Sequence, residues 1–144
     1  MRLLGVPASV ARESLHAIDE LLHEFRLVQL SAQAGLTTPQ GELAAVMNEI
    51  LEGYADAREV TSAQLDAAHA RGQDRVDMQV ELPVEAAAAG RRLLDLLERA
   101  DALCRDEQML TLAVSPDVAA FRRWSLDELT AQLENAADPT PCPL

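Results

Sequence analysis

The chain has 144 residues, 49% hydrophobic and only 3% aromatic, with 24 acidic against 12 basic side chains and a formal net charge of −12. That length suits one domain with a sizeable core, and the shortage of rings argues against a β-sandwich core or a base-stacking surface. The acidity argues against non-specific binding to nucleic acid or to an anionic membrane, and because every basic residue apart from histidine is arginine, lysine Schiff-base and P-loop chemistry are excluded.

The opening MRLLGVPASVARE lacks a long apolar stretch, so no signal peptide is expected. A first helix is predicted over 8–33, where Leu15, Ile18, Leu22 and Phe25 recur at three- and four-residue spacing. Gly35 is its stop signal. Thr38-Pro39 opens a second helical segment, with a capping hydroxyl followed by a proline suited to the first turn. Its stripe is Leu43, Val46, Ile50, Tyr54 and Ala57. Gly53 weakens the middle, and Thr61 with Gln64 has capping-box spacing for a second piece. The short link 34–38 makes the first two helices antiparallel neighbours.

Residues 76–82 break the helical pattern. Val76, Met78, Val80 and Leu82 alternate with Asp77, Gln79 and Glu81, which is strand periodicity. A third helix follows Pro83 and runs to about Asp106, with Leu93, Leu97, Ala100 and Cys104 on one face. In 109–114, Leu110, Leu112 and Val114 alternate with Met109, Thr111 and Ala113. The two alternating runs either pair across the ends of the third helix or lie as extended connectors on helices. Ser115-Pro116-Asp117 opens a fourth helix as cap, first-turn proline and first-turn acid. Ser125 and Glu128 allow a break near Trp124. The tail 138–144, with three prolines, is expected to be disordered.

The expected fold is therefore all-α: a single helical domain over 1–137, with a four-helix bundle-like core, an extended crossover at about 72–83 and room for a short β-ribbon. No apolar run reaches about 18 residues, so no membrane span is expected. Two cysteines make no disulfide framework, and the simplest setting is a reducing cytoplasm.

Few residues suggest chemistry. Glu13–His16, Glu20–His23 and Asp66–His69 share the spacing of di-iron bundle ligands, but His16 and His23 sit about 100° round the helix from the core positions. They read as a solvated face, and metal binding is only a remote alternative. LLHEFRLVQL, residues 21–30, resembles the phosphoacceptor box of sensor histidine kinases. That resemblance implies His23 as phosphoacceptor and Glu24 as the carboxylate orienting its proton. No Walker loop, G-x-G-x-x-G, G-x-S-x-G or C-x-x-C occurs, so no motif calls for a cofactor. FRRWSLDEL, residues 121–129, holds the sole Trp. It reads as a bundle anchor, or as a docking spot of Arg122, Arg123 and Trp124, the residue types enriched at binding hot spots.

Residues 82–133 resemble a family of small helical proteins widespread in actinobacteria. The resemblance rests on Glu98 to Cys104, Leu110 to Leu112, Pro116 and the Phe121-Arg122-Arg123-Trp124 run, with RLLGVP (2–7) and DELLHEF (19–25) upstream. It implies an accessory role in partner-switching regulation of the anti-sigma type. The expectation is a non-enzymatic regulatory protein-interaction module with a protein partner. A homodimer through the free edge of 76–82 is a further expectation, and histidine phosphotransfer is the alternative.

Overall fold

The computed structural model describes residues 1–32, 39–106 and 110–144, and of these all side chains but those of 28–32 and 39–42. The elements are β1 (Arg2–Pro7), α1 (Ala8–Ala32), α2 (Pro39–Gly53), α3 (Ala55–Ala70), β2 (Arg75–Gln79), α4 (Ala86–Arg105) and α5 (Pro116–Asn135). The chain is mostly helical with one small antiparallel sheet. The predicted stop at Gly35, the link 34–38, the cap Thr38 and Met109 lie outside the described residues. The second predicted helix is two helices, and the break falls at Tyr54 beside Gly53 rather than at Thr61. The fourth runs unbroken past Trp124. Its start is as expected: Ser115 accepts from the Val118 N–H at 3.4 Å ahead of Pro116 and Asp117.

Two clusters of buried side chains form the core. One joins α1, α2 and α4 through Leu21, Leu22, Phe25, Met47, Leu97 and Cys104. The other joins β1, the start of α1, α3, β2 and α5 through Leu3, Val6, Leu65, Met78 and Phe121.

The alternation at 76–82 is a strand, but its partner is not 110–114. β2 pairs with β1, at the opposite end of the sequence. Leu3 faces Met78 and Val6 faces Val76, so three steps on β1 match two on β2. The extra residue is a bulge. Gly5 supplies it with φ +61°, a left-handed conformation costly to a residue with a Cβ. Side chains of β2 hold it: Asp77 accepts from the Gly5 N–H at 2.7 Å, and Arg75 donates to the Gly5 carbonyl at 2.7 Å. The bulge turns both Leu3 and Val6 inward, which hides the strand period in RLLGVP.

A two-stranded ribbon is marginal alone; here glutamine amides stand in for further strands. Gln132 of α5 accepts from the Arg2 N–H at 2.8 Å and donates to its carbonyl at 2.7 Å. Gln64 of α3 does the same to Gln79, at 3.0 and 2.9 Å. The edge expected at 76–82 is paired on one side with β1, and on its other side Gln79 exchanges bonds with Gln64 of α3. The tail also departs from expectation. Pro141 bridges to Leu4, the Cys142 N–H donates to the Leu4 carbonyl at 2.9 Å, and Cys142 is buried in the second cluster.

Candidate functional site

Three places were candidates: the aromatic-arginine cluster of α5, the histidine face of α1, and any cavity between the two core clusters.

In the first, α5 turns Arg122 inward until it is only 3% exposed. Its Nε donates to Ser14 Oγ at 3.1 Å and its Nη2 to the Ser14 carbonyl at 3.3 Å. Its Nη1 lies 3.5 Å from Asp101 Oδ2. Burial lowers the Arg122 pKa against the pull of Asp101, and raises that of Asp101 against the pull of Arg122. Both directions say that desolvating this pair outweighs its attraction. Arg123 is exposed and pairs with Glu98. Trp124 is half-buried, its ring 6.0 Å from that of Phe121 at 42°. Of the docking spot expected at Arg122, Arg123 and Trp124, Arg122 is spent inside as a bundle anchor, while Arg123 is exposed and Trp124 half-buried.

The second place is the outer face of α1. His23 is exposed, as expected. Glu24 does not serve it. Its carboxylate reaches across to the connector before α5 and accepts the N–H groups of Leu110 and Thr111, each at 2.7 Å. Burial raises the Glu24 pKa, but bonds from the Thr111 side chain and the two N–H groups outweigh it, so the net direction is down. The connector is thus fixed to α1 through Glu24. Its leucines gain nothing from the core: Leu110 is 89% and Leu112 85% exposed. Together with α1 they border a cleft of about 550 Å³ lined by His16, Asp19, Glu20 and His23. The runs of alternating residues at 110–114 lie as an extended connector, not a strand.

The carboxylates give a pH signature. Glu24 and Glu128 both have folded-state pKa values below the ordinary 4.5, Glu128 because bonds from Thr140 and Gln132 outweigh burial. A depressed carboxylate stabilises the fold above its unfolded value and loses that contribution as pH falls through the folded one. Asp101, raised above 3.8 by burial, runs the other way and favours the fold as pH falls. Local exchange separates them. The Leu110 and Thr111 amides should be protected above pH 4.5 and lose protection in acid, and Glu24→Gln should abolish that pH dependence. Protection that is unchanged by Glu24→Gln would mean the carboxylate does not hold the connector.

The third place lies between the clusters. Leu15, Leu51, Leu93, Leu126 and Leu129 line an apolar cavity of about 190 Å³, with Arg58 at its edge.

The acid-His pairs gather no ion site. Among the described residues no group of three or more His, Cys, Asp or Glu side chains could hold a metal. His16 pairs instead with Glu20, at 3.4 Å. Cys104 is buried, and burial followed by the charges of Asp101 and Glu24 raises its thiol pKa, which makes it unreactive. No described helix is long and apolar enough to cross a membrane.

Sequence reasoning missed Asp101, Ser14 and the exposed leucines. Asp101 carried a signal: it lies four residues after Leu97 and three before Cys104 on the same stripe, so an acid on that face needed a buried partner. No protein family model, curated protein or solved structure matches this chain.

Proposed function

We propose that the chain is a non-enzymatic regulatory protein-interaction module, and that it docks a basic, apolar-faced segment of another protein on the ledge formed by Leu110 and Leu112. The observation that carries this is the pairing of a fixed backbone with two outward leucines. Two neighbouring leucines held out on one short stretch form an apolar patch, which is the informative kind of exposure. Here Glu24 holds the main chain while Leu110 and Leu112 stay in water. Pre-organisation of this kind lowers the cost of binding. The partner's charge follows from the surroundings: Glu20 and Glu24 line the cleft, in a chain of net charge −12. Phosphotransfer gains no comparable support, because the carboxylate that would orient His23 is occupied by the connector. The resemblance of residues 82–133 suggests bacterial signalling or stress-response regulation as the setting, in the cytoplasm.

Panning a displayed library of random short peptides against the chain tests the reading. Recovered peptides should combine Lys or Arg with large apolar residues. Leu110→Asp/Leu112→Asp should weaken them by about thirtyfold or more, the size of a modest hot spot, without changing the melting temperature, since both side chains are exposed. Peptides that bind this variant as tightly as the parent chain, or a library that yields none, would remove the ledge from consideration.

A further inference from the structure

Residues 139–144 are held to the body by the kind of contacts that a separate peptide would make. Pro141 bridges to Leu4 in parallel, and the Cys142 N–H donates to the Leu4 carbonyl at 2.9 Å. The Cys142 side chain is buried with Leu3, Val6 and Phe121. Thr140 gives its N–H and its hydroxyl to the Glu128 carboxylate, and Arg75 of β2 donates to the Leu144 oxygen. This is the pattern of strand addition: a main-chain bond to a sheet strand supplies affinity, and a pocket for an inward side chain supplies selectivity.

The link that carries the segment to its place is strained by comparison. Residues 134–138 are all exposed. The link is tied back by the Ala137 N–H, which donates to the Ala131 carbonyl at 3.2 Å. Between them Ala136 has φ 46°, and among the described residues it is the one residue other than glycine with a positive φ. That conformation disfavours alanine by about fivefold or more. The segment is therefore well seated, but its own helix delivers it there only through a strained turn. The same segment arriving from another molecule would make the same contacts with its link extended and the strain released.

We infer that two copies of this chain exchange residues 139–144, each segment adding to β1 of the other copy. The second copy is the occupant because its segment is the sequence already seated in the site: Cys142 fits the pocket, Thr140 reaches Glu128, and the Leu144 oxygen reaches Arg75. The exchange is reciprocal, so it closes on a two-fold dimer and stops there. Its concentration range follows from two quantities. A segment on a short link competes with its replacement at an effective concentration in the millimolar range. Strain released at each of the two links, about fivefold apiece, brings the midpoint to roughly 0.1 mM. This interface is separate from the leucine ledge and does not rest on it.

Sedimentation of the intact chain, with reductant present to exclude disulfide-linked copies, should show monomer at about 10 µM and mostly dimer at about 1 mM. When isotope-labelled and unlabelled chains are mixed at the higher concentration, an isotope-filtered spectrum should contain Leu4–Cys142 cross-peaks between copies. Ala136→Gly takes the left-handed turn without strain and should weaken the dimer by about tenfold or more. Ala136→Val, a β-branched residue for which that turn is costlier, should tighten it. Both substitutions lie in the exposed link and touch neither core cluster. A chain that stays monomeric at the higher concentration would overturn the inference. So would a dimer that Ala136→Gly leaves unchanged, or one without cross-peaks between copies, which would be a dimer through another face.

Discussion

Arg122→Met should destabilise the fold by about 3 kcal/mol, the lower end for breaking a buried ion pair, and lower the melting temperature by roughly 10 °C in a domain of this size. The substitution removes the donors to Ser14 and leaves the Asp101 carboxylate in an apolar setting. Asp101 would then take up a proton more readily, since burial already raises its pKa, and this limits the loss. Two controls separate this from a general effect of losing an arginine. Arg123→Met, next in sequence but exposed, should stay within about 0.5 kcal/mol. Arg122→Met combined with Asp101→Leu should recover much of the loss, because replacing both charges by apolar groups removes the uncompensated one. If Arg122→Met melts like the parent chain, the buried pair is not what fixes α5 to α1 and α4.

Removing residues 139–144 should cost about 3 kcal/mol. A disordered tail would cost nothing, so the melting curve decides between the two pictures. The figure comes from re-exposing Cys142 and part of Leu144, at roughly 0.8 kcal/mol per buried methylene, and from stripping Glu128 of its partners, about 1 kcal/mol more. Glu128 accepts from the Thr140 N–H at 3.2 Å and from its hydroxyl, as well as from Gln132 at 2.8 Å. The tail reaches these contacts because α5 ends at Ala136 with φ 46°, a left-handed turn that alanine adopts only at some cost. The anchors beyond it offset that strain. Cys142→Ala alone should lose only about 1 kcal/mol, since it keeps the backbone bond to Leu4.

The helices were legible because their physics is local. Periodic leucines, the Ser115-Pro116-Asp117 start and the Gly53 interruption each act within a few residues. The strand at 75–79 was legible for the same reason, since Met78 and Val80 point in while Asp77, Gln79 and Glu81 point out. Its partner was not. β1 conceals its period behind the bulge at Gly5, and no local rule connects residue 3 with residue 78. The bonds that Gln64 and Gln132 make to Gln79 and Arg2 were not legible, because both look like ordinary surface glutamines on helices.

The site divides in the same way. FRRW was noticed for its composition, but composition does not say which of two consecutive arginines turns inward. Asp101 on the apolar stripe of α4 does say it, once read as a charge in need of a partner. Glu24 was read as serving the histidine beside it, whereas the acceptor geometry favoured two backbone N–H groups far along the chain. For Leu110 and Leu112 the alternation left a paired strand and an extended connector both open. Their exposure became visible only when the connector had been placed by the Glu24 carboxylate.

A partner docked on this ledge would be seen in the leucine resonances. The most direct measurement is a titration of the methyl-labelled chain with a peptide recovered by panning, followed by the leucine resonances. The account predicts that the methyls of Leu110 and Leu112 move together and first, with the backbone signals of His23 and Thr111, while those of Leu97 and Leu129 in the core stay fixed. Shifts confined to another face, with Leu110 and Leu112 unmoved at saturation, would contradict it.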